Sequence, residues 1–117
     1  MRFHHVVLTS PQPVLIADFY RDLFSLPELR RNTDECGVRS IWFDLDGVVL
    51  MVERGSKGNG GWDGVYFEVA PGSGASWEKR FIEAGASPTS RTQCTLYAAD
   101  PDGNRLGVSS FPALLFG

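Results

Sequence analysis

Asp100-Pro101-Asp102-Gly103-Asn104, set between Thr95-Leu96-Tyr97-Ala98 and Arg105-Leu106-Gly107-Val108, is the stretch that decides how this chain folds. Proline presets φ at one turn position, aspartate bonds its own backbone, and glycine or asparagine accepts positive φ. The flanks suit strands, so the unit is a β-hairpin. The same pattern occurs 56 residues upstream as Asp44-Leu45-Asp46-Gly47, after Ile41-Trp42-Phe43 and before Val48-Val49-Leu50-Met51-Val52. In that register Leu50 falls on Leu106 and Val52 on Val108. One small unit is present twice.

A chain of 117 residues has room for one domain, and half of it would bury too little apolar surface to stand comfortably alone. The two units are therefore expected to share a core. Hydrophobic residues make up 43% and charged residues 21%, ordinary for a globular protein. A net charge of −3 without a basic cluster argues against nucleic acid as a partner. No apolar run approaches the roughly 20 residues that span a bilayer, and Met1 to His5 lacks a signal peptide's apolar stretch. No membrane partner is expected, and cytoplasm is the expected compartment. Cys36 and Cys94, far apart and without Cys-x-x-Cys spacing, read as reduced thiols rather than metal or redox groups.

Outward from the hairpins, Phe3 to Thr9 reads as a strand with His5 and Val7 on one face. Ser10 before Pro11 is a helix start, and Leu15, Ile16, Phe19, Tyr20, Leu23 and Phe24 form an apolar stripe that Pro27 ends. Glu28 to Glu35 suits a short edge strand. The first hairpin, Arg39 to Phe43 with Val48 to Glu53, completes a βαβββ unit over residues 1–54. Residues 55–62, with four glycines between Gly55 and Gly61, form a linker that could also serve as a flap. The second unit, 63–110, repeats the order: strand Gly64 to Val69, a helix around Trp77, Phe81 and Ala84 capped by Gly85, strand Ser87 to Thr92, and the second hairpin. Residues 111–117, Phe111-Pro112-Ala113-Leu114-Leu115-Phe116-Gly117, are too apolar for a free tail. They are expected to dock on the domain or on a second subunit.

Paired βαβββ units with this turn resemble the vicinal oxygen chelate superfamily, which holds the glyoxalase, bleomycin-resistance and extradiol-dioxygenase proteins. The resemblance rests on His5 in the opening strand, Phe19-Tyr20 and Leu23 in the first helix, and the turn at Asp100 to Asn104. It covers essentially the whole chain. Ser25 departs from it, standing where the family has a helix-ending glycine. The resemblance implies an α+β fold of two tandem modules, with curved, cup-like mixed sheets and helices on the outer face. It also implies a divalent ion in metal-dependent members, held by one ligand from the first and last strand of each module and acting as a Lewis acid.

Carried onto this chain, those four positions fall on His5, Met51, Val65 and Gly107. One imidazole does not make a catalytic cation site, which needs about three protein ligands. Glu53 is the carboxylate aimed at the same cavity, so His5 and Glu53 would be the ligands if a metal bound. Glu68, of opposite parity to Val65, is expected to point away. His5 then reads as a pocket-lining or hydrogen-bonded histidine, still able to act as acid or base near neutral pH. Trp42, Phe67 and Tyr97 are expected to line the cup, with Arg105 near its rim. The aspartates of both hairpins are explained by turn chemistry, and the glycine-rich linker lacks phosphate-loop spacing.

The resemblance, to the superfamily's drug-sequestering branch, thus implies a metal-free small-molecule binding protein, working as a homodimer, with no cofactor and no catalytic residues. Its expected ligand cavity is His5, Trp42, Met51, Glu53, Val65, Phe67, Tyr97, Arg105 and Gly107. The alternatives are a lyase, isomerase or dioxygenase with one divalent metal ion, and a degenerate dimerising or regulatory domain.

Overall fold

In unit one a parallel pairing closes the order that the sequence implies. In the computed structural model, which describes residues 1–57 and 64–117, strand β1 (His5–Ser10) is followed by helix α1 (Pro13–Phe24). Strands β2 (Glu28–Asp34), β3 (Gly37–Leu45) and β4 (Val48–Arg54) complete the unit. They form a mixed four-stranded sheet in the order β1-β4-β3-β2, with β1 parallel to β4 and the other pairs antiparallel. Unit two repeats this with β5 (Gly64–Glu68), α2 (Gly74–Ala84), β6 (Ser87–Arg91), β7 (Thr95–Ala99) and β8 (Arg105–Ser109), in the order β5-β8-β7-β6. The chain divides into compact units Met1–Gly58 and Asn59–Gly117, and each is an open α+β layer of one helix on one sheet. Residues 58–62 of the glycine-rich linker lie outside the described residues.

In each unit one sheet face packs on the helix. Ile16, Ala17, Tyr20 and Leu23 of α1 are buried, as are Ile41 and Phe43 of β3 and Leu50 and Val52 of β4. The register pairs Ile41 with Val52 and Phe43 with Leu50, so these side chains share a face. Unit two buries Phe81 of α2, Leu96 and Ala98 of β7, and Leu106 and Val108 of β8. The two hairpins thus align as duplicated units, Leu50 with Leu106 and Val52 with Val108.

The start of α1 differs from the expectation. Ser10 does not cap it: the helix begins at Pro13, and Gln12 is the capping residue without a side-chain bond. The Ser10 hydroxyl instead accepts the Gln12 N–H at 3.0 Å. Proline at the first helical position explains the later start, because its φ is preset and its missing N–H would have no helical partner there.

At the other end Ser25 is left-handed, with φ 55° and ψ 48°, and donates its N–H to the Arg21 carbonyl. The equivalent end of α2 uses Gly85, φ 85°, as expected. A side chain in this conformation costs more than glycine does. Ser25→Gly is therefore expected to stabilise the protein by about 0.5–1 kcal/mol, read as a raised urea midpoint at unchanged slope. A lowered midpoint would contradict this account of the cap.

Residues 111–117 dock on unit two itself. Leu115 is fully buried. Its N–H bonds the Gln93 carbonyl at 2.8 Å, and the Leu114 and Leu115 carbonyls each accept an N–H, from Gly72 and Gly74, at 3.0 Å. Those donors lie at the start of α2, where Ser73 makes no side-chain cap. The tail therefore supplies acceptors that the helix start needs.

Candidate functional site

Strand register sorts the helix-free face of unit one into three ranks. His5 lies beside Val49, Val7 beside Met51, and Thr9 beside Glu53. Asp44, Trp42 and Ser40 continue these ranks on β3, and Arg30 and Asn32 extend the last two on β2. The middle rank is Val7, Met51, Trp42 and Arg30. Its neighbour is polar: Thr9, Glu53, Ser40 and Asn32, with Asn32 Nδ2 donating to Ser40 Oγ at 2.7 Å. The Arg30 guanidinium stands 5.1 Å from the centre of the Trp42 ring. Trp42 Nε1 is screened from solvent and meets no acceptor among the described residues. His5 is exposed, its Nδ1 2.9 Å from Nδ1 of His4. The structure therefore places His5, Trp42, Met51 and Glu53 on one face.

On unit two the corresponding face carries Gly64, Tyr66 and Glu68 from β5, with Arg105, Gly107 and Ser109 beside them on β8. Tyr97 flanks Gly107 from the other side. The Tyr66 and Tyr97 rings meet edge to face with centres 5.7 Å apart, and the Arg105 guanidinium lies 5.4 Å from the Tyr97 ring. Tyr97, Arg105 and Gly107 thus share this face.

Val65 and Phe67 do not. They pair with Leu106 and Val108 on the helix-packed side, and Val65 is 9% exposed. A shift of one residue exchanges every side chain of a strand between faces. Glu68, expected to point away, is consequently on the helix-free face with Tyr66. The counterpart of His5 is also displaced by one: His5 pairs with Val49 and Gly64 with Arg105, 56 residues on. Gly64, not Val65, is the matching position. The signal was present in Gly64-Val65-Tyr66-Phe67-Glu68, whose period of two puts the aliphatic and Phe67 side chains in the core.

On the observed register, the positions that the resemblance implies for an ion fall on His5, Met51, Gly64 and Gly107. Only His5 carries a donor suited to a divalent cation, and Met51 is a poor ligand for hard ions. Glu53 cannot complete the set. It lies four residues beyond Val49, the partner of His5, which is about 13 Å along the strand. Both donors would have to come within roughly 2–2.5 Å of one ion. Among the described residues no three His, Cys, Asp or Glu side chains are grouped to hold a metal. The donor set does not fit the ion.

Gly107 does not leave a hollow either. A Cβ there would stand 2.8 Å from the Tyr66 ring and 2.6 Å from the Leu96 carbonyl oxygen. Tyr66 fills the space in front of the glycine.

Asp44 and Asp100 are committed to the turn backbone. Asp44 Oδ1 accepts the Gly47 N–H at 2.9 Å. Buried Asp100 accepts the N–H groups of Asp102 and Asn104 at 2.9 and 2.8 Å. They organise hairpins, as their spacing suggests.

One feature of unit one had no signal in sequence order, because separate segments build it. A groove of about 610 Å³ lies between Pro11, Pro13, Val14 and Leu15 at the start of α1 and Cys36, Val38 and Arg54. Its arginine is already answered: Arg54 pairs with Asp34, whose carboxyl is held below its ordinary range by that bond and by the Cys36 N–H. Cys36 and Cys94 are both free thiols. Among the described residues no helix is long and apolar enough to cross a membrane.

No family model and no curated protein matches the chain. Its likeness to known proteins lies in solved structures. A fosfomycin resistance protein, FosX, from Listeria monocytogenes, solved with manganese(II) and 1S,2S-dihydroxypropylphosphonic acid, superposes with a TM-score of 0.80 at 14% identity, covering 93% of this chain and 91% of that one. Lactoylglutathione lyase from Agrobacterium tumefaciens gives 0.71 at 17% identity over 92% of each. TioX from Micromonospora sp. ML1 gives 0.70 at 19% identity, over 93% of this chain and 98% of that one.

Proposed function

We propose that this chain, which has the vicinal oxygen chelate fold, is a metal-free small-molecule binding protein that sequesters its ligand rather than transforming it. The observation that carries this reading is the identity of four register-matched positions: His5, Met51, Gly64 and Gly107 hold one donor suited to a cation. Val7, Met51 and Trp42 offer contact to an apolar ligand instead, with few polar groups to orient it. The FosX neighbour is named for resistance to an antibiotic, which makes small antibiotics the first ligands to try. A homodimer is the proposed working form, with exposed apolar side chains at Ile82, Phe111 and Leu114 as contact surface.

The competing reading is a metal-dependent lyase, isomerase or dioxygenase. Purification without chelators, followed by metal analysis and thermal-shift titration, separates the two. The expected result is far less than one equivalent of Ni, Zn, Mn or Fe per chain and no rise in Tm with any of them. At least one small antibiotic should raise Tm, because a ligand that binds only the folded state stabilises it. One ion per chain, lost on His5→Ala, would replace this proposal with the enzyme.

A further inference from the structure

The middle rank of the helix-free face in unit one ends on a charge and contains an orphan donor, and together these point to a class of ligand. Val7 is 46% exposed, and the register carries its apolar surface across Met51 to the Trp42 indole. Beyond the indole lies Arg30, exposed, which forms no ion pair among the described residues; its guanidinium stands 5.1 Å from the ring centre. Among the described residues neither Asp44 nor Glu53 pairs with it. Asp44 is engaged with the Gly47 N–H in the turn, and Glu53 lies in the adjacent rank beside Ser40.

A buried donor without an acceptor is costly, and among the described residues Trp42 Nε1 meets none. A group that accepts hydrogen bonds and carries negative charge would answer both Arg30 and this N–H, once the guanidinium turns from the ring toward it. A guanidinium recognises a planar carboxylate through two parallel bonds. The remaining contact surface, a thioether and an indole in one line, suits a flat ring system.

We infer that the helix-free face of unit one takes a flat aromatic anion, with its ring along Val7, Met51 and Trp42 and its carboxylate or similar group at Arg30. This rests on the binding function proposed above and adds the ligand's charge and shape. Arg30 sets the charge preference, and Trp42 supplies ring contact and one hydrogen bond.

The test uses three probes of the same ring and different charge: naphthoate, naphthylmethanol and naphthylmethylammonium, titrated calorimetrically against the full chain. Naphthoate is expected to bind about tenfold tighter than the alcohol, and the ammonium weakest. Arg30→Gln should bring naphthoate to the level of the alcohol and leave the alcohol unchanged, while Arg30→Lys keeps part of the preference. Trp42→Phe should weaken naphthoate about threefold through the lost N–H, and Trp42→Ala should weaken all three probes further. The Tm of each variant checks that it is folded.

A preference for the ammonium, or an Arg30→Gln variant that still favours naphthoate, overturns this assignment while leaving the binding function intact. So does absence of binding by all three probes when an antibiotic still raises Tm. One metal ion per chain overturns the function itself, and this inference with it.

Discussion

Leu115→Ala is expected to lower the stability of unit two by about 2–4 kcal/mol, measured by urea unfolding. The side chain is fully buried, so truncation removes its transfer free energy and leaves a cavity. The effect should exceed that of an ordinary core truncation near a chain end, because the segment is also tied by backbone. Its carbonyls at Leu114 and Leu115 accept N–H groups at the start of α2, and loosening the tail leaves that helix start without them. Leu114→Ala is the control. Leu114 is 50% exposed, and its substitution should stay within about 0.5 kcal/mol. A loss below that value for Leu115→Ala would mean that the tail is merely resting on the unit.

Gly107→Ala should cost about 1–3 kcal/mol, as overpacking does. Its Cβ would meet two different neighbours. The Tyr66 ring can swing away, but the Leu96 carbonyl belongs to β7, adjacent to β8 in the sheet, and moves only with the backbone. The double variant Tyr66→Ala, Gly107→Ala separates them. It should show non-additivity for the ring contact and retain the backbone part, a difference that a double-mutant cycle reads directly. A Gly107→Ala protein as stable as the parent would show that the strand has room for a side chain. The same geometry explains why a carboxylate at this position would not rebuild an ion site on its own: Tyr66 would have to leave first.

Much of the architecture was legible in residue order. The repeated Asp-x-Asp-Gly turns specify two hairpins through chemistry confined to a few residues, and the structure shows Asp44 and Asp100 bonding the turn backbone as that chemistry requires. The helical stripe around Tyr20 and Leu23 and the placement of His5, Met51 and Glu53 on one face follow from periods of 3.6 and 2, and the Gly85 cap from glycine's tolerance of positive φ. These signals are local, so the sequence alone carries them.

The rest depended on register, which pairs residues distant in the chain. Val65 and Phe67, expected in the cup, lie on the helix-packed face, because the strand's own alternation pairs them with Leu106 and Val108 and parity tolerates no slip of one residue. Gly107 illustrates the second limit. Its lack of a side chain suggests empty space, yet a tyrosine from β5 occupies that space. The distance separating His5 from Glu53 and the groove beside α1 are likewise set by segments brought together on folding. Turn type and facial periodicity were determined by the sequence by itself, through short-range sterics and hydrogen bonding. What each face can bind was decided only by tertiary structure, because a binding surface is built from neighbours across strands that chain order does not place side by side.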